Sequence, residues 1–434
     1  MTPLKIGMIG LGTVGGGVAK ILTQHPDRIE RRAQRPIVLQ RVAVRDLTKK
    51  RDVDLPAEIL TDRVQDVIDD PEIDVAVQLI GGTGQAREIM LALLAAGKDV
   101  VTANKALLCE HGDELFSRAR ELGRSIAFEA SVAGGIPIIA AFGSALAGNQ
   151  ITSLSGILNG TSNFILTEMA DKNQTYEQAL RRAQELGYAE ADPAMDVDGT
   201  DAAQKLVLLS QLAFGVRAAV AEFPCSGIDT LTLEDLKCAA DLGYMVKLLA
   251  VARLVDNLLE MHVSPTLVRN NLPMADVQGV FNAVKVTGDV VGETWFSGQG
   301  AGQLPTASAV LADIVDMAVG RSQLTFPTLD LFGGRTTFSV QPTDKILSKF
   351  YLRFNALDRP HVLADITDIL GRHEISIASV VQHESPEVET SNNSVVPVFI
   401  MTHRATEGQM RAAEAELNQL KSLQSPCIRM RVAE

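Results

Sequence analysis

Apolar positions follow one rhythm in the first 130 residues. Short apolar runs alternate with amphipathic stretches. Leu4–Ile9, IVLQRVAV (37–44), IDVAVQLI (73–80), DVVTA (99–103) and SIAFEA (125–130) read as strands of the kind covered on both faces. AREIMLALLAAG (86–97) and GDELFSRARELG (112–123) read as helices closed by glycine. Alternating β and α units of this length predict an α/β fold with a doubly wound parallel sheet over 1–130.

The rhythm changes near Val132, where VAGGIPIIAAFGSALAG is apolar and glycine-rich. Residues 131–305 mix helical stretches (TYEQALRRAQELG, TDAAQKLVLLSQLAFG) with strand candidates (KLLAVARLV, LEMHVSPTLV, NAVKVTGDVVGETWFSG), so an α+β domain on one mixed sheet is expected. The helical TASAVLADIVDMAVG within 306–332 is a candidate to return to the first domain. Residues 333–349 read as a linker, and 350–434 read βαββαβ, a ferredoxin-like order.

Composition narrows the partners. A chain of 434 residues calls for two or three domains. A formal charge of -13 argues against nucleic acid, which requires a basic face. Cys109, Cys225, Cys238 and Cys427 form no CxxC and read as thiols in a reducing compartment. Without a leader or an apolar run of spanning length, no membrane and a cytoplasmic location are expected. The sequons at Asn159 and Asn173 then read as accidental.

The first candidate site is Gly10-Leu-Gly12-Thr13-Val14-Gly15, a GxGxxG that follows a strand and opens a helix. Such glycines permit a tight turn and close approach of a pyrophosphate, whose charge the helix N-terminus favours. At the end of the second strand, Arg45 suits the 2′-phosphate of NADP, with Lys49 and Lys50 nearby, while Asp46 leaves NAD open. Thr102-Ala-Asn-Lys105 follows another strand of this sheet, where loops face the cofactor crevice. Lys105 there suits binding a carboxylate or shuttling a proton, and equally a solvated surface.

The second candidate is GYAEADPAMDVDGTDAAQK (187–205), with carboxylates at Glu190, Asp192, Asp196, Asp198 and Asp201. Its spacing lacks the glycine and terminal glutamate of a calcium loop, and no His or Cys suggests zinc. Thr200 or Asp201 would favour a helix start, which puts Asp201 and Lys205 one turn apart on one face. On an otherwise apolar helix, Lys205 is a candidate for proton transfer and Asp201 for orienting it. The other acids suit a substrate ammonium.

The run Ala183, Gly187, Asp192-Pro193, Asp196, Gly199, Asp201, Lys205 resembles the signature of homoserine dehydrogenases. The TANK, EASVAGGIPII (129–139), GILNGTSNFIL (156–166) and GQGAGQLPTASAV (298–310) segments resemble that family in the expected order, over roughly 4–335. The resemblance implies a Rossmann-type first domain and a catalytic and dimerisation domain. The last unit resembles an ACT regulatory domain, as in monofunctional bacterial members. The implied reaction interconverts L-aspartate 4-semialdehyde and L-homoserine with NADPH or NADH, in threonine, methionine and isoleucine biosynthesis. It implies Lys205 as proton donor, Asp201 as its partner, and Lys105 as second lysine and cofactor contact. Gly302 joins the cofactor site. Glu190 and Asp196 would hold the substrate amine, with Tyr188, Gly160 and Thr161 shaping the pocket. A monovalent cation, Na+, is implied at Glu129 and the main-chain oxygens of Val132, Gly134 and Ile136. Ser162 replaces a frequent threonine conservatively.

In the ACT-like unit, His361 of Leu357-Asp-Arg-Pro-His361 stands where glycine is common, which sets obstruction or a changed backbone angle against threonine feedback. A homodimer or homotetramer is implied. Two rivals stand beside this reading. An aspartate-semialdehyde dehydrogenase would need a thiolate nucleophile, and no cysteine lies in a suitable motif. A nucleotide- and amino-acid-sensing protein would need no proton donor.

Overall fold

The first strand, β1 (Leu4–Ile9), is buried at every residue but Lys5, as its unbroken apolar run requires. The structure, a computed structural model, describes residues 2–329, 338–382 and 395–433. After β1 come α1 (Thr13–Gln24), α2 (Pro26–Ala33), β2 (Ile37–Ala43), β3 (Leu60–Thr61) and α3 (Gln65–Ile68). Next are β4 (Val75–Gln78), α4 (Gly84–Ala95), β5 (Asp99–Thr102), α5 (Lys105–Glu121), β6 (Ile126–Ala127), α6 (Ile138–Ala140) and β7 (Ile151–Ile157). The middle of the chain holds α7 (Gly160–Lys172), α8 (Tyr176–Glu185), α9 (Ala194–Val197), α10 (Thr200–Phe214), α11 (Leu233–Asp241), β8 (Tyr244–Val255) and β9 (Leu258–Arg269). It continues through β10 (Phe281–Gly288), β11 (Gly292–Gln299), α12 (Gln303–Ala318), α13 (Arg321–Thr325), β12 (Ser339–Val340) and β13 (Leu347–Leu357). The last elements are α14 (Val362–Arg372), β14 (Ile377–Gln382), β15 (Val395–Thr402), β16 (Ala405–Thr406), α15 (Glu407–Leu417) and β17 (Ile428–Val432).

The chain divides into two compact units. The first holds Met1–Leu154, Gln204–Ala219 and Phe281–Ser339, and the second Ser155–Ala203, Val220–Val280 and Val340–Glu434. In the first, β3-β2-β1-β4-β5-β6 form a parallel sheet. That order reverses direction at β1, the place where such sheets open a crevice. The expected return of a later helix is present: Val310, Ile314 and Met317 of α12 share one core with Ile6, Met8 and Val18. Gly17 makes this possible, because a Cβ there would lie 2.8 Å from the Gln303 carbonyl oxygen.

In the second unit β8-β9-β17-β13-β15-β14 follow one another in a mixed sheet. β17 runs parallel to β9, with Arg431 opposite Thr266, while the β8–β9 and β13–β15 pairs are antiparallel. The predicted βαββαβ order is present in β13, α14, β14, β15, α15 and β17. Phe350, Leu352, Phe354 and Ala356 alternate along β13 into its core with Ile366, Ile369 and Met410. The opposite face of β13 is buried too, because the α11 carboxylate Asp235 accepts from Arg353 Nε (2.7 Å), Arg353 Nη2 (3.1 Å) and the Tyr351 hydroxyl (3.2 Å).

Two expectations change. NAVKVTGDVVGETWFSG is a hairpin of β10 and β11 rather than one strand. SIAFEA contracts to the two residues of β6, followed by a single turn over Glu129–Ser131. Of the expected linker, 333–337 lie outside the described residues, and the rest holds β12, a turn at Thr343–Lys345 and the start of β13.

Candidate active site

In the first unit, the three fingerprint glycines have separate physical reasons. Gly10 has φ +102°, and a Cβ there would lie 2.8 Å from the Leu79 carbonyl oxygen. A Cβ on Gly12 would meet nothing within 4 Å, so this side of the turn is open for close approach of a ligand. A Cβ on Gly15 would press against the Gly10 carbonyl oxygen, so its absence seats α1 on β1. Thr13 and Val14 begin α1, whose first turn has no acidic residue and no side-chain cap. Its amide dipoles are therefore available to an anion.

At the end of β2 the two candidates for the ribose separate. Asp46 Oδ1 accepts from Thr48 Oγ1 (2.7 Å) and Thr48 N (2.8 Å). These bonds hold its carboxyl below the usual range and commit it to its own turn. Arg45 is exposed beside it.

The TANK segment is fixed by Asn104. Its side chain accepts from Leu107 N (3.1 Å) and donates to the carbonyl oxygens of Ile80 (3.1 Å) and Gly82 (2.8 Å). That caps α5 and ties the ends of β4 and β5 together. Lys105, half-buried, is the first residue of α5. Gly302 precedes α12 with φ +125°, a backbone that only glycine adopts readily.

Glu129 is buried, and its carboxylate accepts from the amides of Ile139 (3.0 Å) and Ala140 (2.7 Å) at the start of α6. Burial nonetheless pushes its carboxyl up to about 7. Its own amide donates to Asp313 Oδ2 at 3.0 Å, and burial and Glu129 together hold the Asp313 carboxyl well above its ordinary range. The loop of Val132, Gly134 and Ile136 is pinned where Gly134 N donates to the Gly300 carbonyl oxygen (2.8 Å) and Gly135 N to that of Gln299 (2.9 Å).

In the second unit, the acids of 187–205 sort by role. Asp192 accepts from Ala194 N (3.2 Å) and Asp198 from Thr200 N (2.8 Å), so these two fold the loop. Asp198 takes the first amide of α10, and Asp201 lies in its first turn, where an acid favours a helix start. Asp196 and Asp201 are joined by Asn159, a residue of the GILNGTSNFIL segment. Asn159 Nδ2 donates to Asp196 Oδ1 (2.8 Å) and Asp201 Oδ2 (2.9 Å). Asn159 Oδ1 accepts from Ser162 N (2.7 Å) and Ser162 Oγ (2.6 Å), which also caps α7. Both ends of the amide are engaged, so its orientation is fixed by chemistry: a carbonyl oxygen cannot face two carboxylates.

Gly160 opens α7, and the Thr161 hydroxyl donates to the Tyr188 carbonyl oxygen at 2.9 Å. The Tyr188 ring lies edge-on to Phe164, with centroids 5.0 Å apart. Glu190 is exposed, and its carbonyl oxygen accepts from Gln184 Nε2 at 3.2 Å. Asp201 (7% exposed) and Lys205 (9%) are buried one turn apart on α10, a helix that continues from the second unit into the first. Asp201, Asp196, Thr161 and Tyr188 are thus brought together around Asn159 and α7, while Glu190 stands at the exposed end of the loop.

In the last unit, His361 precedes α14 with φ +75°. That is the left-handed region glycine favours, and the side chain is exposed.

Three family profiles match the chain: "Homoserine dehydrogenase, NAD binding domain" over 10–129, "Homoserine dehydrogenase" over 137–315 and "ACT domain" over 350–422. A homoserine dehydrogenase of Pseudomonas aeruginosa is 43% identical, covering 100% of both chains. The crystal structure of a homoserine dehydrogenase from Thiobacillus denitrificans superposes with a TM-score of 0.91 at 43% identity, over 100% of this chain and 99% of that one. A hyperthermophilic archaeal homoserine dehydrogenase in complex with NADPH matches with a TM-score of 0.61 at 25% identity, over 76% of this chain and 100% of that one.

Proposed function

The chain belongs to the homoserine dehydrogenase family, and from that premise we propose that it reduces L-aspartate 4-semialdehyde reversibly to L-homoserine with NADPH. The observation that carries the site assignment is the Asn159 amide holding Asp196 and Asp201 together at the head of the helix bearing Lys205.

The nicotinamide cofactor supplies the hydride that reaches the carbonyl carbon. Lys205 gives a proton from Nζ to the carbonyl oxygen, and in the reverse direction takes it back. Asp201 orients Lys205 and the hydroxyl. Asp196 and Glu190 hold the substrate ammonium, since each carboxylate has lone pairs beyond those used locally. Tyr188, Gly160 and Thr161 shape the pocket.

The glycine turn and uncapped α1 fit a dinucleotide pyrophosphate, with Lys105 and Gly302 as further contacts. The exposed Arg45 at the end of β2 favours NADP over NAD, in keeping with the NADPH complex of the archaeal relative. One buried carboxylate with neutral main-chain oxygens fits a monovalent cation such as Na+ at Glu129, Val132, Gly134 and Ile136. The functional division we propose is 1–130 with 306–332 for the cofactor, 131–305 for catalysis and dimerisation, 333–349 as linker and 350–434 for regulation.

We place the protein in the cytoplasm as a homodimer or homotetramer, serving threonine, methionine and isoleucine synthesis, with threonine as effector at the ACT domain. No described helix is long and apolar enough to cross a membrane. The test is NADPH oxidation with L-aspartate 4-semialdehyde, repeated with NADH and with added L-threonine. Turnover favouring NADPH and inhibited by threonine is expected. Absence of turnover in protein that binds NADPH would move the reading to a sensor.

A further inference from the structure

Beneath α7 lies a lysine with no part in the chemistry above. Lys247 of β8 is 1% exposed. Its Nζ donates to the Val277 carbonyl oxygen (2.5 Å) and to Asn163 Oδ1 (3.3 Å). Asn163 Nδ2 donates to the same Val277 oxygen (3.1 Å) and to that of Gly279 (2.9 Å). Gly279 N in turn donates to Thr167 Oγ1 at 3.1 Å. Strand β8, the turn 277–279 and α7 are therefore tied through one buried ammonium and one buried amide.

No carboxylate among the described residues forms an ion pair with Lys247. Asp171 on α7 and Asp276 before the turn act on it over a longer range, and Lys237 of α11 lines the adjoining cavity of about 80 Å³. Burial pushes the ammonium down to about 8. A methionine would fill much the same volume without desolvating a charge. Stability alone therefore gives no reason for a lysine here, and its bonds point to what it holds. Asn163 lies one turn after Asn159, whose carbonyl oxygen receives its amide at 3.4 Å.

We propose that Lys247 is a positioning residue for the substrate: it fixes α7 against the Val277–Gly279 turn and thereby sets the place of Asn159 and Thr161. This rests on the reading that Asn159, Asp196 and Asp201 form the substrate site. A helix freed from that tie presents the same groups over a range of positions, so substrate affinity falls before the chemical step does.

The experiment compares full-length Lys247→Met, Lys247→Gln and Asn159→Ser with the wild type. It measures KM and kcat for L-aspartate 4-semialdehyde, Kd for NADPH and thermal unfolding. Lys247→Met is expected to raise KM about tenfold, with kcat and NADPH Kd within about threefold. Lys247→Gln, which keeps two N–H donors, is expected to recover most of the loss. Wild-type KM in folded Lys247→Met overturns the proposal. If Lys247→Met does not fold, Asn163→Ser cuts the tie from the helix side: a KM near wild type overturns the proposal, and a large rise supports it. Impaired Asn159→Ser beside normal Lys247→Met sinks this proposal alone. A normal Asn159→Ser sinks the site reading and this proposal with it.

Discussion

Replacing Asn159 by serine separates the two tasks of its side chain. Serine is as good a helix N-cap as asparagine, so the bond to Ser162 N is replaceable and the cap itself should change stability by less than about 1 kcal/mol. Serine cannot reach across to Asp196 and Asp201. These carboxylates share one nitrogen as donor, so the bonded oxygens lie within about 6 Å of each other. Like charges at that distance repel by about 3 kcal/mol at an effective dielectric of 20. The two amide N–H groups now offset this repulsion. A hydrogen bond to a charged group contributes about 1.5–3 kcal/mol, and Asp196 is only partly buried, so its bond belongs at the low end or below. Loss of both removes about 2–3 kcal/mol that holds the two carboxylates in place, or roughly 30- to 150-fold in kcat/KM for L-aspartate 4-semialdehyde. The assay is initial-rate NADPH oxidation at saturating cofactor, paired with thermal unfolding. A variant within threefold of wild-type kcat/KM would refute the bridge as an organiser of the site. A variant that no longer unfolds cooperatively would show only that α7 had lost its cap.

Other positions answer to different measurements. Arg45→Ala should lower kcat/KM with NADPH by about tenfold and leave NADH unchanged, as expected for one lost phosphate contact; equal losses with both cofactors would contradict the assignment. Gly15→Ala puts a methyl against the Gly10 carbonyl oxygen, so NADPH binding measured by fluorescence should weaken by more than tenfold, with a lower Tm. Lys247 titrates in the folded protein near 8, against 10.5 unperturbed, so the unfolded chain binds more protons between those values. Its contribution therefore makes stability rise with pH across about 8–10.5, by up to about 3 kcal/mol, a slope that denaturant titration should find in the wild type and not in Lys247→Met. Equal slopes in the two proteins would contradict a depressed Lys247.

The local parts of the fold were legible because local physics decides them. A run such as LKIGMI followed by GLGTVG leaves a buried strand and a glycine turn as the consistent solution, and Arg45 sits where any strand of that sheet would end. The long-range partners of individual side chains were not legible, even where the return of α12 was. Asn159 meets Asp196 and Asp201 across 37 and 42 residues, and nothing in NGT distinguishes a carboxylate bridge from a sequon. Gly17 reads as one more glycine until α12 returns from nearly 300 residues away to touch it. FYLRFNAL sets Tyr351 and Arg353 on one face of β13, and only the fold shows that α11 covers that face by bringing Asp235 to them. For Lys247 the sequence shows a lysine within an apolar strand, and only the carbonyl oxygen of Val277, 30 residues on, shows what it holds.

The measurement closest to the central claim is a single turnover of NADPH with L-aspartate 4-semialdehyde by the wild type and by Lys205→Ala. A positioned proton donor contributes about 10²- to 10⁴-fold. The account predicts a loss in that range for Lys205→Ala, with NADPH Kd unchanged and L-homoserine as the wild-type product. A Lys205→Ala enzyme that oxidises NADPH at the wild-type rate would contradict it.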